Sequence, residues 1–213
     1  MIPFITNDQY NFIMKQAKLI DGARHTVNDG QVKKAFIYSA FDKVLELFPH
    51  LEEEQHSLLS DMLSIESESG LEQFERKIGE LCIPFPALTD HQISKLFRKV
   101  KKLNNPALTE DQWNHLTFVS WNDKGNGRKF IIKEVDGKLV GIHGRFLLSS
   151  KKGICHFCHH HSQVGLFTVE LKSKGASMNY KALGNYICED GEQCNRQILS
   201  TERIDSFLRE TSK

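Results

Sequence analysis

Cys155-His-Phe-Cys158 and, after a strand-like insert, Cys188-Glu-Asp-Gly-Glu-Gln-Cys194 decide how the last third of this chain folds. Thiolates are soft, charged ligands, and four of them satisfy Zn²⁺ without leaving a position for water. A Cys-x-x-Cys turn can present two sulfurs to one ion. The second pair spans a longer loop, which includes Gly191 and leads into a helical pattern. Cys155, Cys158, Cys188 and Cys194 therefore read as the ligands of one structural Zn²⁺. A site closed in this way folds the chain but gives a substrate no access to the metal. It points to a binding module rather than an enzyme.

A turn with two ligands, a strand, and a ligand beside a helix start together resemble a treble-clef zinc finger. His156 and the run His159-His160-His161 leave a Cys₃His site open, although four cysteines already complete a set. Thioredoxin-like redox chemistry would use one Cys-x-x-Cys, not two distant pairs. The chain has no His-Glu-x-x-His, no Gly-x-x-x-x-Gly-Lys-Ser/Thr and no Gly-x-Ser-x-Gly. The fifth cysteine, Cys82, lies in the apolar run Leu-Cys-Ile-Pro and reads as a small buried hydrophobe, not a nucleophile.

Ahead of the finger the pattern is first helical, then stranded. Asn7 or Asp8 can cap a first helix, and Asn28 a second with Val32, Phe36, Ile37, Ala40, Phe41 and Val44 on one broad face. Helical spacing continues over 52–65 and 68–81. Four amphipathic helices with short links predict an antiparallel bundle. Pro84-Phe85-Pro86 breaks the pattern and divides the chain into 1–83 and 84–213. Thr89 or Asp90 starts a helix expected to run from His91 to Leu103, with Lys95 to Lys102 supplying its cations. Strands are expected around 118–121, 129–133, 138–145 and 164–171, with turns at 123–127 and at Asp136-Gly137. One last helix is expected over about 195–209. The fold class is α+β: a helical bundle, then a zinc-binding domain.

Charge follows the same division. Residues 1–80 hold 8 Lys and Arg against 14 Asp and Glu, and residues 81–213 hold 20 against 13. The second part is thus the contact surface expected for an acidic protein or for nucleic acid. No stretch reaches the roughly 20 apolar residues of a membrane span. The start of the chain lacks a signal-peptide pattern, so a cytoplasmic protein is expected.

Several stretches, taken in order, carry a family resemblance: Thr26-Val-Asn-Asp29, Leu96-Phe-Arg-Lys-Val-Lys-Lys-Leu103, Phe118-Val-Ser-Trp-Asn122, Arg128-Lys-Phe-Ile-Ile132, Tyr186-Ile-Cys188 and Cys194-Asn195. With the other two cysteines they resemble the elongation factor G-binding proteins, the FusB-type fusidic acid resistance family. The resemblance implies a partner, elongation factor G, gripped chiefly through the zinc domain. It implies release of that factor from the ribosome under fusidic acid, which is target protection without a catalytic step. It also implies zinc ligation by the four cysteines and partner contacts at Tyr186 and Phe207. Ile154 and Leu183 stand where relatives carry an aromatic residue and a lysine. A zinc-finger RNA-binding protein acting at the ribosome is the alternative.

Overall fold

The computed structural model describes residues 1–171 and 181–212. Two compact units divide the chain, Met1–Ile83 and Pro84–Lys213.

The first unit is helical. Helix α1 (Asn7–Thr26) starts from Thr6, one residue before the expected cap, and the Thr6 amide donates to Gln9 Oε1 at 2.9 Å. This is the return half of a capping box. Helix α2 (Gly30–Leu45) starts from Asp29 and not from Asn28. The Asp29 carboxylate accepts from the Gln31 and Val32 amides at 2.8 and 3.0 Å. Helix α3 (Glu53–Ser60) runs into a 3₁₀ turn (Asp61–Ser64), and α4 (Glu68–Gly79) follows. Ile13, Ala17, Ile20, Ile37, Phe41, Val44, Leu59, Met62, Phe74 and Ile78 share one core. The buried stripe of α2 is narrower than its sequence suggests, because Val32 and Phe36 are exposed. The ends of the unit are tied together: the Phe4 and Ile5 amides donate to Leu81 O, and the Ile83 amide donates to Ile5 O.

The second unit is built on one antiparallel sheet. Its strands are β1 (Val119–Asp123), β2 (Arg128–Val135), β3 (Lys138–Ile154), β4 (His161–Leu171) and β5 (Lys181–Cys188), paired in chain order. The turn between β2 and β3 is Asp136-Gly137, with φ of 52° and 72°. Two consecutive left-handed residues match the right-handed twist of a hairpin, which is why Asp-Gly is favoured there.

Alternation along β2 sends Phe130 and Ile132 to one side of the sheet and Lys129, Ile131, Lys133 and Val135 to the other. The first side packs with Val119, Trp121, Phe97 and Ile93 under helix α5 (Asp90–Leu96). The second packs with Phe118, Phe167, Ile187 and the four finger cysteines. Helices α7 (Gly191–Gln197) and α8 (Glu202–Thr211) lie on that side.

Two helix expectations need correction, and one further helix is present. Helix α5 stops at Leu96 instead of Leu103, because Phe97 leaves the helix and packs its ring edge-on to Phe130 and Trp121. The cations from Lys95 to Lys102 therefore do not form one helix face. A short helix, α6 (Glu110–Trp113), is present without being expected. The single last helix is two, separated at Ile198, which is extended and fully buried. Two ion pairs tie α8 to the β2–β3 hairpin: Lys133 with Asp205 at 2.6 Å, and Arg209 with Asp136 at 2.8 Å.

Candidate metal centre

The cysteine pairs reach one point from different elements. Cys155 follows the end of β3, and the connection to β4 turns tightly: the His159 amide donates to Cys155 O and the Cys155 amide to His160 O, each at 3.0 Å. His159 takes a left-handed φ of 60° to make that turn. Cys188 is the last residue of β5. Asp190 then caps α7 by accepting the Glu192 amide at 2.8 Å, and α7 carries Cys194 inward. A side chain at Gly191 would run into Ser120 of β1, so only glycine lets the start of α7 seat this closely.

The four cysteine sulfurs lie within 4.8 Å of one another and all four residues are buried. Cys155 Sγ is 3.8 Å from Cys194 Sγ, and Cys158 Sγ is 3.7 Å from Cys188 Sγ. A Zn–S bond of about 2.3 Å sets the sulfurs of a regular tetrahedron roughly 3.8 Å apart. The same spacing is far too long for a disulfide of about 2.05 Å, and all four are free cysteines. Hydrogen bonds from Cys158, Cys188 and Cys194 hold the Cys155 thiol well below its ordinary value. The bond with Cys155 instead pushes Cys188 upward. Four thiols this close cannot all ionise unless a cation lies among them. The donor set thus fits one structural Zn²⁺ with no open position, and the ion would supply folding free energy.

The surrounding shell contains residues to which the sequence assigned no role. Asn195, 1% exposed, accepts the Thr117 and Phe118 amides at 2.6 and 3.1 Å and donates to Phe118 O and Gly191 O at 2.9 Å. It welds α7 to the start of β1. Lys129, also 1% exposed, donates to Glu189 O at 2.8 Å and to Asn122 Oδ1 at 3.0 Å. Burial pushes its ammonium down to about 8, against the upward pull of Cys194 and Cys188. Nothing in a single sequence distinguishes a buried amide such as Asn195 from an exposed one.

The histidines stand outside the sulfur cluster, which among the described residues contains only the four cysteines. The His156 amide donates to Tyr186 O at 2.7 Å, and His160 Nδ1 is 2.8 Å from Cys158 O.

The two expected partner contacts are placed differently. Tyr186 is 52% exposed while its carbonyl is fixed to the Cys155–Cys158 turn. It stands in register with Leu166, which pairs with Leu147. Leu147 is 61% exposed, and Ile154 beside the first ligand is exposed as well. Phe207 is 2% exposed, its ring packed among Phe157, Phe167 and His156. It is a core residue of α8, because the helix turns its apolar face to the sheet. Its ring is not available on the surface of the free chain.

Residues 4–86 match the family described as elongation factor G-binding protein, N-terminal, and residues 92–212 match the FBP C-terminal treble-clef zinc-finger. The chain belongs to the elongation factor G-binding protein family. Elongation factor G is the partner that this membership assigns, and the zinc finger is the family's own. The solved structure described as that of the fusidic acid resistance protein FusC shares the fold of this elongation factor G-binding protein. Its TM-score is 0.81 at 22% identity, over 99% of this chain and 98% of that one. A comparison with curated proteins gives no match. No helix among the described residues is long and apolar enough to cross a membrane.

Proposed function

We propose that this protein binds elongation factor G through its zinc unit and promotes departure of the factor from the ribosome, protecting translation against fusidic acid. The match of residues 92–212 to the family's zinc-finger domain carries the proposal. In this reading the zinc is structural, held by Cys155, Cys158, Cys188 and Cys194, and the protein acts in the cytoplasm without a catalytic step.

The surface beside the finger suits the task. Leu147, half-buried Leu166 and exposed Tyr186 form an apolar row across three strands, and exposed Arg145 stands on the same face of β3. A rigid aromatic anchored by its own backbone, with apolar neighbours, has the make-up of an interface centre. Phe207 contributes from beneath by packing on Phe157 of the ligand turn.

Departure is accelerated only if the protein prefers the form of the factor that contacts the ribosome weakly. Equal affinity for both forms would shift nothing. Size-exclusion chromatography of purified elongation factor G with this protein tests the binding step. A one-to-one complex at micromolar concentration is expected. Separate elution, together with salt-sensitive binding to ribosomal RNA, would replace the proposal with the RNA-binding alternative.

A further inference from the structure

The β2 motif Arg128-Lys-Phe-Ile-Ile-Lys133 places two lysines on the buried, zinc-facing side of the sheet. A charge in such a place is costly unless a counter-charge and hydrogen bonds offset the lost water. Lys133 has Asp205 at 2.6 Å. Lys129 has no carboxylate within ion-pair distance among the described residues. Its ammonium is held by neutral groups: Glu189 O at 2.8 Å, Asn122 Oδ1 at 3.0 Å and the Phe146 ring at 5.0 Å.

The position of Glu189 supplies what is missing. Glu189 follows Cys188 and precedes Asp190, the cap of the helix that carries Cys194. Its carbonyl takes a second bond from Asn122 Nδ2 at 2.9 Å. Lys129, Asn122 and Glu189 O therefore form a closed triangle on the segment that joins two of the four cysteines. Four thiolates around one divalent cation leave a net negative centre, and the Lys129 ammonium is bonded to the carbonyl of the residue that follows the ligand Cys188.

We infer that Lys129 is the counter-charge and positioning residue of the zinc centre: its ammonium offsets the surplus thiolate charge and, with Asn122, fixes the Cys188–Asp190 segment so that Cys188 and Cys194 arrive together. The inference rests on zinc binding by the four cysteines and does not depend on the partner. A hydrogen bond alone would explain the geometry but not the choice of a charged donor in a place so deeply buried. Outer-shell groups of this kind orient ligands and tune how firmly the metal is held.

The test compares the full chain with Lys129→Met, Lys129→Gln and Asn122→Ala by competition for zinc against a chelator. Lys129→Met is expected to weaken zinc binding roughly 10- to 100-fold. Lys129→Gln keeps a donor for Glu189 O but loses the charge, and it is expected to lose affinity as well. Cobalt(II) provides a readout that packing alone would not move. Without the nearby cation the thiolates become better donors, so the sulfur-to-cobalt charge-transfer band of Lys129→Met shifts to lower energy. Unchanged affinity and an unchanged band in a folded Lys129→Met protein would overturn the inference. If that variant does not fold in excess zinc, Asn122→Ala decides. Asn122 is half-buried, and its loss should weaken zinc by several-fold; wild-type affinity there would count against the triangle.

Discussion

Tyr186 and Phe207 separate at the level of single residues, because one ring faces solvent and the other faces the core. Tyr186→Ala removes an exposed ring and leaves the backbone tie to His156 in place. It should cost the complex with elongation factor G about 2 kcal/mol, or roughly 30-fold, as an interface anchor does. Melting of the free protein should change little. Phe207→Ala opens a cavity beneath the ligand turn and should destabilise the zinc unit by roughly 3–5 kcal/mol. Thermal melts and a binding isotherm on both variants check the pair. A stable, folded Phe207→Ala that has lost only affinity would return Phe207 to the surface role implied by the family resemblance. Asn195→Leu tests the weld between α7 and β1. It leaves the buried Thr117 and Phe118 amides without this acceptor, at a cost of about 3 kcal/mol, read by chemical denaturation.

Individual elements differ in how far the sequence revealed them. The β2–β3 hairpin was plain, because Asp136-Gly137 encodes its backbone turn locally. The cysteine pairs were equally plain, since few other residues gather in such spacing. The end of α5 was not, because the helical pattern continues past Leu96 and only the sheet gives Phe97 a better place. The break at Ile198 was hidden for the same reason: an apolar residue at helical spacing looks the same whether it continues a helix or leaves it to fill the core. Lys129 was invisible as a buried charge, since alternation marks it as one face of a strand without saying that both faces are covered.

Helix α8 depends on Lys133–Asp205, a pair largely shielded from water. Lys133→Met strands the carboxylate and should lower stability by roughly 3 kcal/mol. In the first unit, Tyr10 and Cys82 give a pH test. Burial pushes Cys82 from 9.0 up to about 11, and burial together with Glu75 raises Tyr10. Both folded values exceed the unfolded ones, so folding favours the neutral forms. Helical stability should hold below about pH 9 and decline as the pH rises through about 11, as seen in melts followed by circular dichroism. Cys82→Ala should reduce that decline.

For the molecule as a whole, the two units have separate cores and opposite charge, and the metal-binding cluster lies in the second. Zinc contributes folding free energy on the order of 10 kcal/mol to such a site. A strong chelator, or Cys188→Ser, should therefore abolish the β signal of Pro84–Lys213 while the helices of Met1–Ile83 remain. A Cys188→Ser protein that keeps its zinc and its melting curve would point to histidine ligation.

The claim that this protein frees its partner is tested most directly by the dwell time of single fluorescent elongation factor G molecules on ribosomes stalled with fusidic acid. At saturating protein the dwell time should shorten several-fold, and Tyr186→Ala should require a higher concentration for the same effect. Dwell times that stay unchanged at saturation would contradict the account.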